Sequence, residues 1–326
     1  MHARMSEARR RCWLALLATS WALTACAQSP PSWDSVAAPV TVESGQAAAA
    51  TTIADPSSTP DLASSVPPTS ATGNTTAERG DNLAWADEFD GTALNSSWWS
   101  FEHPLMGLEH GSVHLYTPDA VAVADGLLRI TAARLATPVD VDLDADGTAD
   151  QPLTWSSGFI TTRELVASGP GLVEVRLKAP AGQGLWPAVW LRPASADYGG
   201  WPRSGELDVV EILGGTPHEA VTTAHWWNGG HMFDARTTVL QDTDDGFHIY
   251  ALRWGPDELV WSIDGSIVHR LSDWHSDLGP PGSPFDRSFY LNINLAVGGR
   301  WPGPPDEGTP EPSVLEVDWI RVHGRS

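Results

Sequence analysis

An all-β sandwich or barrel is the fold class this sequence predicts, on three observations: period-two alternation throughout residues 81–326, Gly- and Pro-rich turns between short apolar runs, and no useful stretch of helical periodicity. In Leu172–Lys178, Val173, Val175 and Leu177 share one face while Glu174, Arg176 and Lys178 share the other, as a half-buried strand requires. Leu259, Trp261 and Ile263 alternate likewise; Asp264-Gly265 then makes a two-residue turn matched to strand twist, and Ile267 to Leu271 returns as the other half of a hairpin. Phe289, Leu291, Ile293, Leu295 and Val297 alternate against Tyr290, Asn292 and Asn294, and the run Leu315–Val322 closes the chain. These strands make one large domain and call for no second. If two sheets curve, the concave face becomes a long groove suited to an extended polymer, with the Asn292/Asn294 face as a candidate wall.

The front of the chain has a different character. Arg4, Arg9, Arg10 and Arg11 precede an apolar stretch from Trp13 to Leu23, the charged and short hydrophobic regions of a secretory signal. It ends in Leu23-Thr24-Ala25-Cys26, which resembles the bacterial lipobox and makes Cys26 the expected lipid attachment point. A signal peptide is therefore expected over 1–25, with Cys26 as the first mature residue. From 26 to 80 the sequence is dominated by Ala, Ser, Thr and Pro, with too few apolar side chains to offset the entropy of ordering them. It is expected to be a disordered tether, with an end-to-end distance on the order of 40 Å as a flexible coil. The expected location is outside the cytoplasm, lipid-anchored at the cell surface or released.

Composition narrows the chemistry. Lys and Arg number 19 against 41 Asp and Glu, a formal charge of −22, so nucleic-acid phosphates are not an expected partner. Removing residues 1–25, net +3 from four Arg and Glu7, takes the body to −25. The sequence has only two cysteines, Cys12 within the signal and Cys26 at its end, which rules out a disulfide or a thiol nucleophile in the body. The acidic balance points to a neutral or cationic partner, and seventeen tryptophans suit a large aromatic-lined fold. The membrane is expected to be met only through the N-terminal lipid, and the body is expected to be a monomer.

The segment that carries chemistry is Trp201-Pro202-Arg203-Ser204-Gly205-Glu206-Leu207-Asp208-Val209-Val210-Glu211. On a regular strand Glu206 and Asp208 share a face and Glu211 points into the opposite, apolar one, which is costly for a carboxylate. A β-bulge around Val209-Val210 returns Glu211 to its companions while Leu207 and the valines pack inward. Three carboxylates on one face repel, so at least one holds its proton more tightly than a free side chain does. That asymmetry is what general acid/base chemistry needs. In retaining glycoside hydrolysis one carboxylate attacks the anomeric carbon while a second protonates the leaving oxygen.

Gly205-Glu206-Leu207-Asp208-Val209-Val210-Glu211 resembles the active-site strand of glycoside hydrolase family 16 in its bulged, laminarinase-like form. Trp85-Ala86-Asp87-Glu88-Phe89-Asp90-Gly91, Trp186-Pro187-Ala188-Val189-Trp190 and Asn294-Leu295-Ala296-Val297-Gly298-Gly299-Arg300-Trp301-Pro302-Gly303 agree with that family in order. The resemblance implies a concanavalin A-like β-jelly roll with a concave substrate cleft over residues 81–326. It implies Glu206 as nucleophile, Glu211 as general acid/base and Asp208 between them tuning charge and orientation. Trp186, Trp190 and Trp201 match sugar-contacting tryptophans of the family, with core filler as the alternative for each; Trp190 stays open between groove and core. His225 matches a histidine beside the cleavage point, and Asn294 and Trp301 close one end of the groove.

The implied activity is retaining endo-hydrolysis of a β-1,3-glucan of laminarin type. Mixed-linkage glucan, galactan, another polysaccharide, glycosyl transfer to a second sugar, or non-catalytic sugar binding stay open as alternatives. Two departures concern substrate more than reaction. The family's Asn-Glu-Leu-Gln-Tyr-Tyr type segment reads here Gly111-Ser112-Val113-His114-Leu115-Tyr116, and its Ser-Gly-Arg-Ile reads Ser157-Gly158-Phe159-Ile160. No cofactor is expected for catalysis. A structural calcium, implied by the family, maps to backbone oxygens near Glu88 and Gly126 and to the carboxylate of Asp318. Separately, Asp142, Asp144, Asp146 and Asp150 have calcium-loop spacing, but Leu153 stands where the bidentate Glu belongs, which leaves a solvated acidic insertion as the alternative.

Overall fold

The computed structural model describes residues 81–326 apart from 142–150, 164, 167, 244–245 and 326. The expected signal peptide, the tether, Cys26 and the Asp142–Asp150 loop lie outside the described residues. Strands dominate the rest. In chain order they begin with β1 (Asp81–Asp87), β2 (Ser100–Phe101), β3 (His114–Tyr116), β4 (Val121–Ala124), β5 (Leu127–Val141) and β6 (Gln151–Ser157). Next come β7 (Phe159–Thr161), β8 (Gly171–Lys178), β9 (Leu185–Pro193), β10 (Glu206–Ile212), β11 (Glu219–Trp227) and β12 (His231–Val239). The last are β13 (His248–Trp254), β14 (Leu259–Ile263), β15 (Ser266–Leu271), β16 (Phe289–Val297) and β17 (Ser313–Arg325).

They form the two-sheet jelly-roll sandwich expected from the sequence. One sheet runs β15-β14-β13-β8-β17-β5-β6-β3, with β1 on β17 and β4 on β5; the other runs β12-β11-β10-β9-β16-β7-β2. Long-range pairings bridge the runs of consecutive strands, as β8 beside β17 and β9 beside β16 show.

The core is the alternation read from the sequence. Val173, Val175 and Leu177 of β8 are buried, as are Leu259, Trp261 and Ile263 of β14. The turn joining β14 to β15 has positive φ at both Asp264 and Gly265, the geometry that matches strand twist. One strand departs from the expected pattern. All nine residues of β16 are buried, including the polar face that carries Asn292 and Asn294. It lies between β9 and β7, and Trp190 and Tyr116 meet the Asn294 side chain on its outer face. The asparagines are therefore floor, not an open wall.

Candidate active site

The carboxylate strand β10 has the expected bulge. Asp208 pairs with Thr223 and Glu211 with Val221 on β11, so two residues, Val209 and Val210, oppose the single Thr222. The same shift appears against β9, where Asp208 pairs with Trp190 and Glu211 with Ala188. Leu207, Val209 and Val210 all enter the core, which leaves Glu206, Asp208 and Glu211 on the outer face of the sheet. Gly205, at φ +86, turns the chain into this strand; a Cβ there would stand 2.8 Å from Pro284, so no other residue fits.

The opposite sheet supports the bulge from beneath. The Trp261 indole donates to the backbone oxygen of Asp208 at 2.8 Å, and His269 stacks on Trp261 with ring centroids 4.3 Å apart. His269 in turn meets Thr222 Oγ1 at 2.9 Å and Asp234 Oδ1 at 2.7 Å, tying the residue opposite the bulge to edge strand β12. The hairpin β14–β15 thus holds the carboxylate strand in register.

Cross-strand partners share a face, so the strand pairing lists what surrounds the carboxylates. Glu206 lies in a row with His225 and Phe233, Asp208 with Thr223, Trp190 and Asn292, and Glu211 with Ala188 and Asn294. Donor atoms of Glu206, Asp208 and His225 all lie within 4.8 Å of one another. His225 Nε2 is 3.3 Å from Asp208 Oδ2, and its Nδ1 is 3.0 Å from His231 Nε2. On the other side, the Trp186 indole donates to Glu211 Oε1 at 3.1 Å.

The two glutamates are unequal. Burial, reinforced by the charge of Asp208, raises Glu206 from 4.5 to about 7, while the positive charges of His225 and Arg192 and a hydrogen bond from Trp201 pull it back. Glu211 is pushed well above the ordinary range by burial and by Asp208 and Glu206, opposed only by neutral donors, Trp186 and Thr223. His225 shows the complement. Burial works against its charged form, but contact with Asp208 and the charges of Asp208 and Glu206 outweigh that and raise its pKa. One carboxylate therefore sits among cations and the other among neutral hydrogen-bond donors, the division of labour that paired acid/base chemistry uses.

Aromatic rings bound the site at both ends. Trp301 meets Trp186 edge-on at 5.2 Å, while Trp201 packs against His231 at 4.7 Å. Trp201 and Trp301 are each about half exposed. Trp201 is carried on a loop pinned by Ser204, whose hydroxyl accepts from the Tyr198 amide at 3.1 Å and donates to the Gly199 carbonyl at 2.7 Å. Trp190 is half-buried between groove and floor: its indole donates to Asn294 Oδ1 at 2.8 Å, and Asn294 donates to the Tyr116 hydroxyl at 3.1 Å. Asn294 thus lies beneath Trp190 as part of the floor. Phe159 packs against both Tyr116 and Trp190. Both segments that departed from the family pattern therefore meet at this point.

Thr223, Arg192 and His231 join the site without having been picked out by sequence reasoning. The signal for His231 was present in Asn228-Gly229-Gly230, a turn that folds β12 back along β11 and brings His231 diagonally across from His225.

A carboxylate triplet whose two glutamates hold their protons unusually tightly, set between tryptophan walls on one face of a jelly roll, defines a glycoside-cleaving class of protein. Comparison with known proteins narrows it: the family model for glycosyl hydrolases family 16 matches residues 112–321, and the chain belongs to that family. It is similar to glucan endo-1,3-beta-glucosidase A1 of Niallia circulans, 33% identical over 268 residues, which covers 75% of this chain and 38% of that longer protein. Glucan endo-1,3-beta-glucosidase of Cryptopygus antarcticus is 32% identical over 255 residues, 73% of this chain and 90% of the relative. Among solved structures, the laminarinase catalytic domain from Thermotoga maritima MSB8 superposes with a TM-score of 0.64 at 30% identity, covering 76% of this chain and 99% of that one.

The residues expected to hold a structural calcium fall around the middle of β17. Asp318 falls in a register shift of β17 against β8, between the part of β17 that pairs β5 and the part that pairs β1. Gly126 lies in the β4–β5 turn beside it, and Glu88 follows the end of β1. The carboxylate of Glu88 accepts from Arg321 at 2.8 and 3.0 Å. Asp318 Oδ2 accepts from Arg176 at 2.5 Å, which balances part of its charge.

Proposed function

We propose that this glycoside hydrolase is a retaining endo-β-1,3-glucanase acting on a laminarin-like polysaccharide. The observation that carries the reading is the bulge at Val209-Val210, which sets Glu206 and Glu211 on one face, the first beside His225 and Arg192 and the second beside Trp186 and Thr223. The β-1,3 linkage is taken from the names of the relatives.

In the first step the Glu206 carboxylate attacks the anomeric carbon. The bond from that carbon to the leaving sugar breaks, its electron pair stays on the leaving oxygen, and that oxygen takes the proton of Glu211. In the second step Glu211, now a carboxylate, removes a proton from water as the water oxygen attacks the same carbon and releases Glu206. Asp208 and His225 hold the nucleophile's surroundings, and the faces of Trp186, Trp190, Trp201 and Trp301 cover pyranose C–H surfaces.

Oligosaccharides released from laminarin and from lichenan test the substrate. The expected result is a ladder of β-1,3-linked products from laminarin at early times. Exclusive turnover of another polysaccharide, accumulation of longer transfer products, or binding without cleavage would each reject it.

The N-terminal signal and Cys26 support export and lipid anchoring, with the tether as a spacer. A calcium ion held by the carbonyls of Glu88 and Gly126 and by Asp318 would cross-link three strands without entering the reaction. Chelation is expected to lower Tm while leaving turnover measurable at moderate temperature; an unchanged Tm would remove the ion from the account.

A further inference from the structure

We propose that His231 is a positioning residue that keeps His225 in its charged form with Nε2–H toward Asp208. This rests on the glucanase reading above. The His225 ring stands between Asp208 Oδ2 and the His231 ring, with contacts of 3.3 Å from Nε2 and 3.0 Å from Nδ1. Two imidazole nitrogens that close share one proton, so only a few arrangements are open. If His225 Nδ1 carries the shared proton and Nε2 is bare, a lone pair faces the Asp208 carboxylate. If Nε2 carries its proton and Nδ1 accepts, His225 is neutral beside two carboxylates. If both nitrogens are protonated, His225 donates at once to Asp208 and to a neutral His231. The last two arrangements both leave every nitrogen with a partner, and only the last also places a positive charge beside Asp208 and Glu206.

The surroundings favour the same assignment. From β10, Asp208 and Glu206 face His225 with negative charge; from β9, Arg192 acts on Glu206. His231 is bounded by the rings of Trp201, at 4.7 Å, and Phe233, at 5.9 Å, which offer no proton acceptor of their own. Burial and the neighbouring His225 charge lower the pKa of His231, in keeping with a neutral acceptor. Without His231, the Nδ1–H of His225 loses its side-chain acceptor at the exposed rim of the site, and the charged form becomes more costly.

The test measures His225 directly and follows its effect on catalysis. In the wild-type protein, nitrogen-resolved NMR at neutral pH is expected to show His225 protonated at both nitrogens, with His231 neutral. His231→Leu is expected to lower the His225 pKa and to move the acidic limb of the kcat/KM profile upward, each by on the order of half a unit or more. KM should change less than kcat. His231→Gln, whose side-chain oxygen can accept, should restore much of both. A wild-type His225 with bare Nδ1 would overturn the proposal whether or not any variant folds. So would a His231→Leu protein with unaltered His225 titration and pH profile. Because the NMR reading needs no substrate, failure of the glucanase assignment would show separately, as a wild-type protein with the expected His225 state and no activity on laminarin.

Discussion

Glu206→Gln is expected to reduce kcat on laminarin on the order of 10⁴-fold or more, because the substitution removes the atom that forms the new bond while keeping the side chain's shape. The same change should stabilise the fold, and the sign follows from the raised pKa. Glu206 titrates at about 7 in the folded chain against 4.5 ordinarily, so between those values the native state holds a proton that the unfolded chain has released. Its contribution to stability therefore falls as pH rises through that window and stays low above it. A neutral glutamine has no such penalty. The Tm difference between variant and wild type should be near zero below pH 4.5, grow towards pH 7 and level off beyond it. Thermal melts across that range check the sign; a variant that melts lower at pH 8 than wild type would mean that the carboxylate supports the fold.

Glu211→Ala is expected to produce a different failure. Loss of the proton donor should cost about 10²- to 10⁴-fold in kcat on the polysaccharide, whose leaving oxygen needs protonation. An aryl glycoside with an acidic leaving group does not need it, so its first step should proceed at close to the wild-type rate while the second slows for want of a base. The alkaline limb of the kcat profile, which reports the raised Glu211 acid, should disappear. Comparing kcat/KM, which reports the first step, for the two substrates on one variant separates this role from general damage: equal losses in kcat/KM on both would deny Glu211 the part of acid.

Much of this site was legible because the chemistry is local in sequence. Glu206, Asp208 and Glu211 lie within six residues, and the cost of burying a carboxylate was enough to require the bulge that the β10–β11 register shows. The Asp264-Gly265 hairpin was legible for the same reason, since two-residue turns are specified by their own residues. What that hairpin does was not. Trp261 and His269 reach across the sandwich to hold Asp208 and Thr222, and nothing in the sequence near either partner announces a contact between sheets. Asn294 shows a related limit. Alternation placed it correctly on the polar face, but whether that face was open depended on Trp190 and Tyr116, which come from other strands. His231 joined the site through the pairing of β11 and β12, which the Asn228-Gly229-Gly230 turn sets up, and its role there depends on His225 across that pair.

The central claim, that Glu206 is the nucleophile of a double displacement, is tested most directly by trapping. A fluorinated β-1,3-linked glucoside with an activated leaving group should form a long-lived ester with the enzyme, and peptide mapping should place the sugar on Glu206. A label on Asp208 or Glu211, or turnover of laminarin to the inverted anomer with no ester formed, would contradict it.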